Sequence, residues 1–220
     1  MKLYLSSYRV GNDTTILTEW VKKNKQILVI PNALDTFPDS ERKTNGINQK
    51  CEDLQKLGYE TIILDLRKYF DKEEVLKEYL KNFNAFYVLG GNVFVLRQAM
   101  KLSGFDNYLL DIANKSNYLY SGFSAGICVL AKDLHGIHLA DDETQKPYGE
   151  YDTMWQGIGL IRYMPVPHYD TPNHPESHLM SEVVDYLKQN NLPYKTLRDG
   201  DVICEDLTSA NTKNIEAGNL

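Results

Sequence analysis

Short apolar runs rich in β-branched and aromatic residues recur along the chain, separated by longer amphipathic stretches, and this alternation admits few architectures. Residues 2–7, 26–31, 60–66, 85–89, 118–122 and 160–167 each have the length of a strand. Their near-continuous apolarity is expected of strands covered on both faces, as in a parallel sheet between two layers of helices. Residues 14–23 carry Ile16, Leu17, Trp20 and Val21 at helical spacing, and 45–57 carry Ile47, Cys51, Leu54 and Leu57. A further helix is expected over 72–82 behind Asp71 as its N-cap, and another over 93–102 after the Gly90-Gly91-Asn92 turn. The expected fold is α/β, a three-layer αβα sandwich with a mainly parallel central sheet. No composition break marks a linker, so residues 1–220 are read as one domain.

Beyond Ala131 the period is lost. Residues 132–157 hold His135, His138, Asp141, Asp142 and Glu143 without sustained spacing and read as an excursion loop, a candidate for covering or completing a site. A helix is expected over 175–190. Runs at 194–197 and 202–204 flank Arg198-Asp199-Gly200-Asp201, whose Asp-Gly pair signals a hairpin turn.

Composition excludes several function classes. With 42% hydrophobic residues, 14 Gly and 8 Pro, the chain is neither fibrous nor disordered. A net charge of -6 argues against nucleic acid and anionic membranes as partners. No run reaches the ~18–20 apolar residues of a membrane span, and the first residues are too polar for a signal peptide, so a cytoplasmic location is expected. Cys51, Cys128 and Cys204 stand far apart without a Cys-x-x-Cys pair, which indicates reduced, mostly buried thiols rather than disulfides or structural zinc.

The chemistry concentrates at Gly122-Phe123-Ser124-Ala125-Gly126, a Gly-x-Ser-x-Gly string directly after a strand and before an apolar stretch. Glycines on either side let a strand turn sharply into a helix, lifting the Ser124 hydroxyl above the sheet at a helix N-terminus. Gly90-Gly91-Asn92 follows the neighbouring strand and emerges at the same carboxyl edge. The N–H groups of Gly91 and Ala125 are candidates for an oxyanion hole, although a plain helix-initiating turn explains the doubled glycine equally well. A serine needs a base, and His168, at the end of the run 160–167, is the best placed. His174 and His178 read as capping or exposed residues, and His135 and His138 are weaker candidates. For the carboxylate that orients the imidazole, Asp142 is favoured, then Asp141, with a solvated acidic loop as the competing reading. No pair has the His-Glu-x-x-His spacing that puts two metal ligands on one helix face, and no nucleotide-binding glycine pattern is present.

Taken together, Leu89-Gly90-Gly91-Asn92, Gly122-Phe123-Ser124-Ala125-Gly126 and Pro167-His168-Tyr169 resemble the peptidase E family of serine peptidases, in the family's order and with comparable separations. That family belongs to the class I glutamine-amidotransferase-like (flavodoxin-like) fold alongside cyanophycinases. The resemblance implies Ser124 as nucleophile, His168 as general base, an acidic third member between them, oxyanion amides at Gly91 and Ala125, and no cofactor. Related amidotransferases carry cysteine at the elbow, so Ser124 favours the peptidase branch over glutaminase activity. An acidic N-terminal substrate residue would call for a cation near the site. Between Ser124 and His168 the only candidates are Lys132, Lys146 and Arg162. The expectation is a serine peptidase of short peptides, monomeric or homodimeric. The alternatives are a non-catalytic binding protein using the same edge, and an esterase or amidase of non-peptide substrates.

Overall fold

The computed structural model describes residues 1–209. In chain order the elements are β1 (Lys2–Ser6), α1 (Thr15–Val21), β2 (Gln26–Ile30), α2 (Glu41–Lys56), β3 (Glu60–Ile63), α3 (Glu73–Leu80), β4 (Ala85–Val88), α4 (Val93–Ser103), α5 (Phe105–Ile112), β5 (Leu119–Phe123), α6 (Ala125–Cys128), β6 (Met164–Val166), α7 (Ser177–Gln189), β7 (Tyr194–Thr196) and β8 (Val202–Asp206). Six strands form one sheet in the order β3-β2-β4-β5-β1-β8. All pairs are parallel except β1 with β8. This is the α/β architecture expected from the alternation, in the flavodoxin-like form that the family resemblance implies.

Successive side chains of a strand point to opposite faces, and here both faces are apolar because both are covered. Leu28 and Ile30 of β2, Phe86 and Val88 of β4 and Tyr120 of β5 pack with α3, α4, α5 and α6. Their neighbours Ile27, Val29, Ala85, Tyr87 and Leu119 pack on the other side with Leu17, Trp20, Ile47, Cys51 and Leu54 of α1 and α2. Two cores thus sandwich the sheet.

Several elements differ from the sequence reading. Helix α2 starts at Glu41, because Ser40 caps it by accepting from the Lys43 N–H at 3.2 Å, and its polar first turn carried no apolar signal. Asp71 does not cap α3; it sits at φ 56°, and Lys72 precedes the helix without a side-chain cap. Of residues 160–167 only Met164–Val166 is a strand, and it joins β7 in a separate two-stranded parallel ladder. The expected hairpin is absent: β7 pairs with β6, whereas β8 crosses to the large sheet and runs antiparallel to β1. Cys51 and Cys128 are buried, but Cys204 is exposed.

Parallel strands put all their carboxyl ends on one edge. The segments leaving β1, β2, β4 and β5 there supply Tyr8, Leu34, Gly91 and Ser124 to a single cleft of about 600 Å³. Ligands of open α/β sheets bind at this edge.

Candidate active site

Ser124 joins β5 directly to α6 and holds φ 51°, ψ -123°, a conformation that costs a non-glycine residue of order 1–3 kcal/mol. The flanking glycines are dictated by crowding. A Cβ on Gly126 would lie 2.3 Å from the Val88 carbonyl oxygen, and one on Gly122 would lie 2.8 Å from the same atom. Tyr120 locks the turn from below, its hydroxyl donating to the Gly126 carbonyl at 2.6 Å. The turn after β4 presses equally close: a Cβ on Gly90 would meet Ser124 Cβ at 2.8 Å, and Gly91, at φ 144°, would meet the Ala33 carbonyl at 2.3 Å. Neither the Gly91 nor the Ala125 N–H donates to an acceptor among the described residues. Both amides therefore stand beside Ser124 with their donors uncommitted.

His168 follows β6 at φ 58° and is only 3% exposed, yet it lines the same cleft as Ser124. Its backbone N–H donates to Ser7 Oγ at 2.8 Å. Its Nδ1 lies 2.6 Å from Asp199 Oδ1, so Nδ1–H donates to that carboxylate and the lone pair of the neutral ring is left on Nε2. Asp199 is itself held: the Ser7 hydroxyl donates to Oδ1 at 2.9 Å, and the Asp199 N–H donates to Thr171 Oγ1 at 3.0 Å. Burial holds His168 below the ordinary imidazole range, with Asp199 acting in the opposite sense.

The structure brings Ser124, His168, Gly91 and Ala125 to one place, but not Asp141 or Asp142. Asp141 is half-buried, and its carboxylate accepts from the Val93 N–H at 2.7 Å, at the start of α4. Asp142 is bound to Thr144 and Gln145. No residue of 132–157 lines the cleft among the described residues; that loop braces α4 instead, with the Asn92 side chain donating to the Asp142 carbonyl at 2.8 Å. His135 stacks on Trp155 in a different pocket, which Lys132 and Arg162 also line, and Lys146 pairs with Glu150. His168's carboxylate partner comes instead from the turn between β7 and β8, downstream of the histidine. The Asp199-Gly200 pair was visible in the sequence, as a turn.

Cations reach the cleft from α2. Lys43 is committed to Asp35 at 2.6 Å and Asp39 at 3.0 Å. Arg42 and Lys50 also line the cleft and form no ion pair with any described residue. Phe37, 60% exposed, and Tyr8, 42% exposed, give the mouth an apolar lip.

His168, His174 and Asp199 offer ligand atoms within 4.8 Å of one another. The two rings, however, are parallel to within 2° and stacked at 4.0 Å, so their in-plane lone pairs do not converge on a point. His168 Nδ1 is also committed to Asp199, and zinc ligands sit ~2.0–2.2 Å from the ion. The cluster is built as a hydrogen-bonded group rather than an ion cage.

The family model for peptidase family S51 matches residues 7–210. Two curated relatives are similar in sequence. One is the uncharacterized peptidase Lin0382 of Listeria innocua, 30% identical over 137 residues, which are 61% of each chain. The other is the uncharacterized peptidase Lmo0363 of Listeria monocytogenes, 31% identical over 106 residues, 48% of each. The matches thus span less than two thirds of either relative's length. Among solved structures, a candidate peptidase E from Listeria monocytogenes EGD-e aligns with TM-score 0.69 at 23% identity, covering 93% of this chain and 98% of that one. A peptidase from an acI-B1 Actinobacterium aligns with TM-score 0.63 at 16% identity, covering 93% and 82%. At these identities the structural likeness shows a shared fold.

Proposed function

Because the chain belongs to peptidase family S51, we propose that it is a serine peptidase of short peptides in which Ser124 is the nucleophile, His168 the general base and Asp199 the carboxylate that orients it. The observation that carries this reading is the 2.6 Å bond to Asp199 from the Nδ1–H of His168, which lines the same cleft as Ser124. Nε2 takes the Ser124 proton as Oγ attacks the peptide carbonyl, and the imidazolium that forms is stabilised by Asp199. The carbonyl oxygen becomes an oxyanion that the free N–H groups of Gly91 and Ala125 can bind, each such donor being worth roughly 3 kcal/mol of transition-state stabilisation. His168 then returns the proton to the leaving amine. Water attacks the acyl-enzyme by the same route in reverse. Ser124 at φ 51° acts as a nucleophile elbow, its strain supported by the crowded glycines around it.

A cleft of about 600 Å³ favours short peptides over folded chains. The uncommitted Arg42 and Lys50 on one wall favour substrates that carry a carboxylate, including dipeptides with an acidic first residue. The test is a serine-directed fluorophosphonate followed by intact mass, with a dipeptide panel alongside. Labelling and hydrolysis are expected in the wild type, and Ser124→Ala is expected to lose labelling and at least about 10³-fold in kcat. A Ser124→Ala protein that still cleaves the same dipeptides at the wild-type rate rules the proposal out.

A further inference from the structure

His174 is the ring in the cleft that the proposed chemistry leaves unused. It stacks face to face on His168, with centroids 4.0 Å apart and planes within 2°. Its Nδ1 accepts the Glu176 N–H at 3.2 Å, which leaves Nε2 as the protonated nitrogen of the neutral ring. That Nε2 lies 4.0 Å from Asp199 Oδ2, the carboxylate oxygen that His168 does not use. Tyr8 packs edge-on against both rings, at 6.1 Å from His168 and 6.3 Å from His174.

The His168 imidazole is thus fixed on three sides: at Nδ1 by Asp199, along an edge by Tyr8, and across one whole face by His174. Rotating the ring about the Cβ–Cγ bond would tilt its plane out of the parallel stack and against the His174 face. The charged or titratable groups facing the pair are Asp199 from the turn before β8, Glu176 ahead of α7, and Tyr8 after β1. A positive charge on His174, stacked 4.0 Å away, opposes one on His168.

We propose that His174 is a positioning residue for His168, clamping its imidazole face-on and opposing a positive charge on it. The inference rests on His168 being the base, and it makes His174 a contributor, after burial, to keeping this base neutral.

Two variants separate the clamp from the charge. His174→Phe keeps a flat ring over His168 and removes the charge. Its kcat is expected to fall less than that of His174→Ala, while the acid limb of kcat/KM moves up by about half to one pH unit. His174→Ala removes both and is expected to lose kcat roughly 10- to 100-fold with little change in KM, because the base is no longer held in its attack geometry. NMR titration of ¹⁵N-histidine-labelled protein reads the coupling without any substrate, and the His168 midpoint is expected to rise in His174→Phe. Should phenylalanine prevent folding, His174→Gln is expected to move the midpoint in the same direction. An unchanged His168 midpoint and acid limb in these variants overturns the inference. A shifted midpoint in a wild-type-like fold that hydrolyses no peptide supports the coupled pair and sinks the peptidase reading instead.

Discussion

Asp142 and Asp199 are both carboxylates within reach of a histidine-rich stretch of sequence, but their surroundings predict opposite consequences of removal. Asp199 Oδ1 accepts from both His168 and Ser7, whereas Asp142 serves Thr144 and Gln145 within its own loop. Asp199→Asn can present an N–H to the imidazole and so favours the wrong tautomer; kcat is expected to fall by about 10⁴-fold, while Asp142→Asn stays within a few-fold of wild type. Steady-state kinetics on a common dipeptide checks both, and equal rates in the two variants would remove Asp199 from the mechanism. That Ser124 and His168 share one cleft was legible in the sequence because each directly follows an apolar run that ends in a strand, although the strand before His168 belongs to the smaller ladder. Asp199 was not, because the carboxylate was sought between serine and histidine, whereas chain order does not constrain which residues meet in space. Lys50 and Arg42 were missed for a related reason: the cation was also sought between Ser124 and His168, but it arrives from α2.

At the scale of elements, the α4 N-terminus carries the most consequential unexpected contact. Asn92 caps it, its side chain accepting from the N–H groups of Phe94 and Val95, and Asp141 accepts from the Val93 N–H. A helix N-terminus favours a carboxylate, but burial dominates here and raises Asp141 to about 7. A carboxyl group whose folded value lies above its unfolded value weakens the fold as pH rises from the unfolded value through the folded one. Wild type should therefore lose stability relative to Asp141→Asn between pH 5 and pH 8, by about 2–3 kcal/mol. Asparagine keeps an oxygen for the Val93 N–H and carries no charge. Urea unfolding at the two pH values measures the difference, and a pH-independent gap between the proteins would contradict the assignment. Strands and helices with strong periodicity were readable at this scale, whereas partnerships between distant strands were not. Tyr194–Thr196 and Val202–Asp206 look like two arms of a hairpin, yet the outer edges of β6 and β1 offer each a separate partner.

For the molecule as a whole, the charge of -6 hides an opposite local field. One wall of the cleft is supplied by Arg42 and Lys50, while most carboxylates lie elsewhere on the surface or, like Asp35 and Asp39, are already paired. Net charge read from composition set aside extended polyanions and said nothing of a small anion. For peptides with an acidic first residue, the double variant Arg42→Glu, Lys50→Glu is expected to raise KM roughly 10- to 100-fold with little change in kcat, and to abolish the loss of wild-type kcat/KM with added salt. Neutral dipeptides serve as the control, and an equal rise in KM for them would assign these residues a structural role. The sheet order carries one more consequence. β1 lies between β5 and β8, so its pairing is completed only by a strand about 200 residues downstream, and the segment that brings β8 to the sheet also carries Asp199. On the proposed mechanism, a molecule in which β8 has not docked on β1 holds its serine and its histidine but lacks the turn that aligns them. The edge strand β8 is then the latch that switches peptide cleavage on.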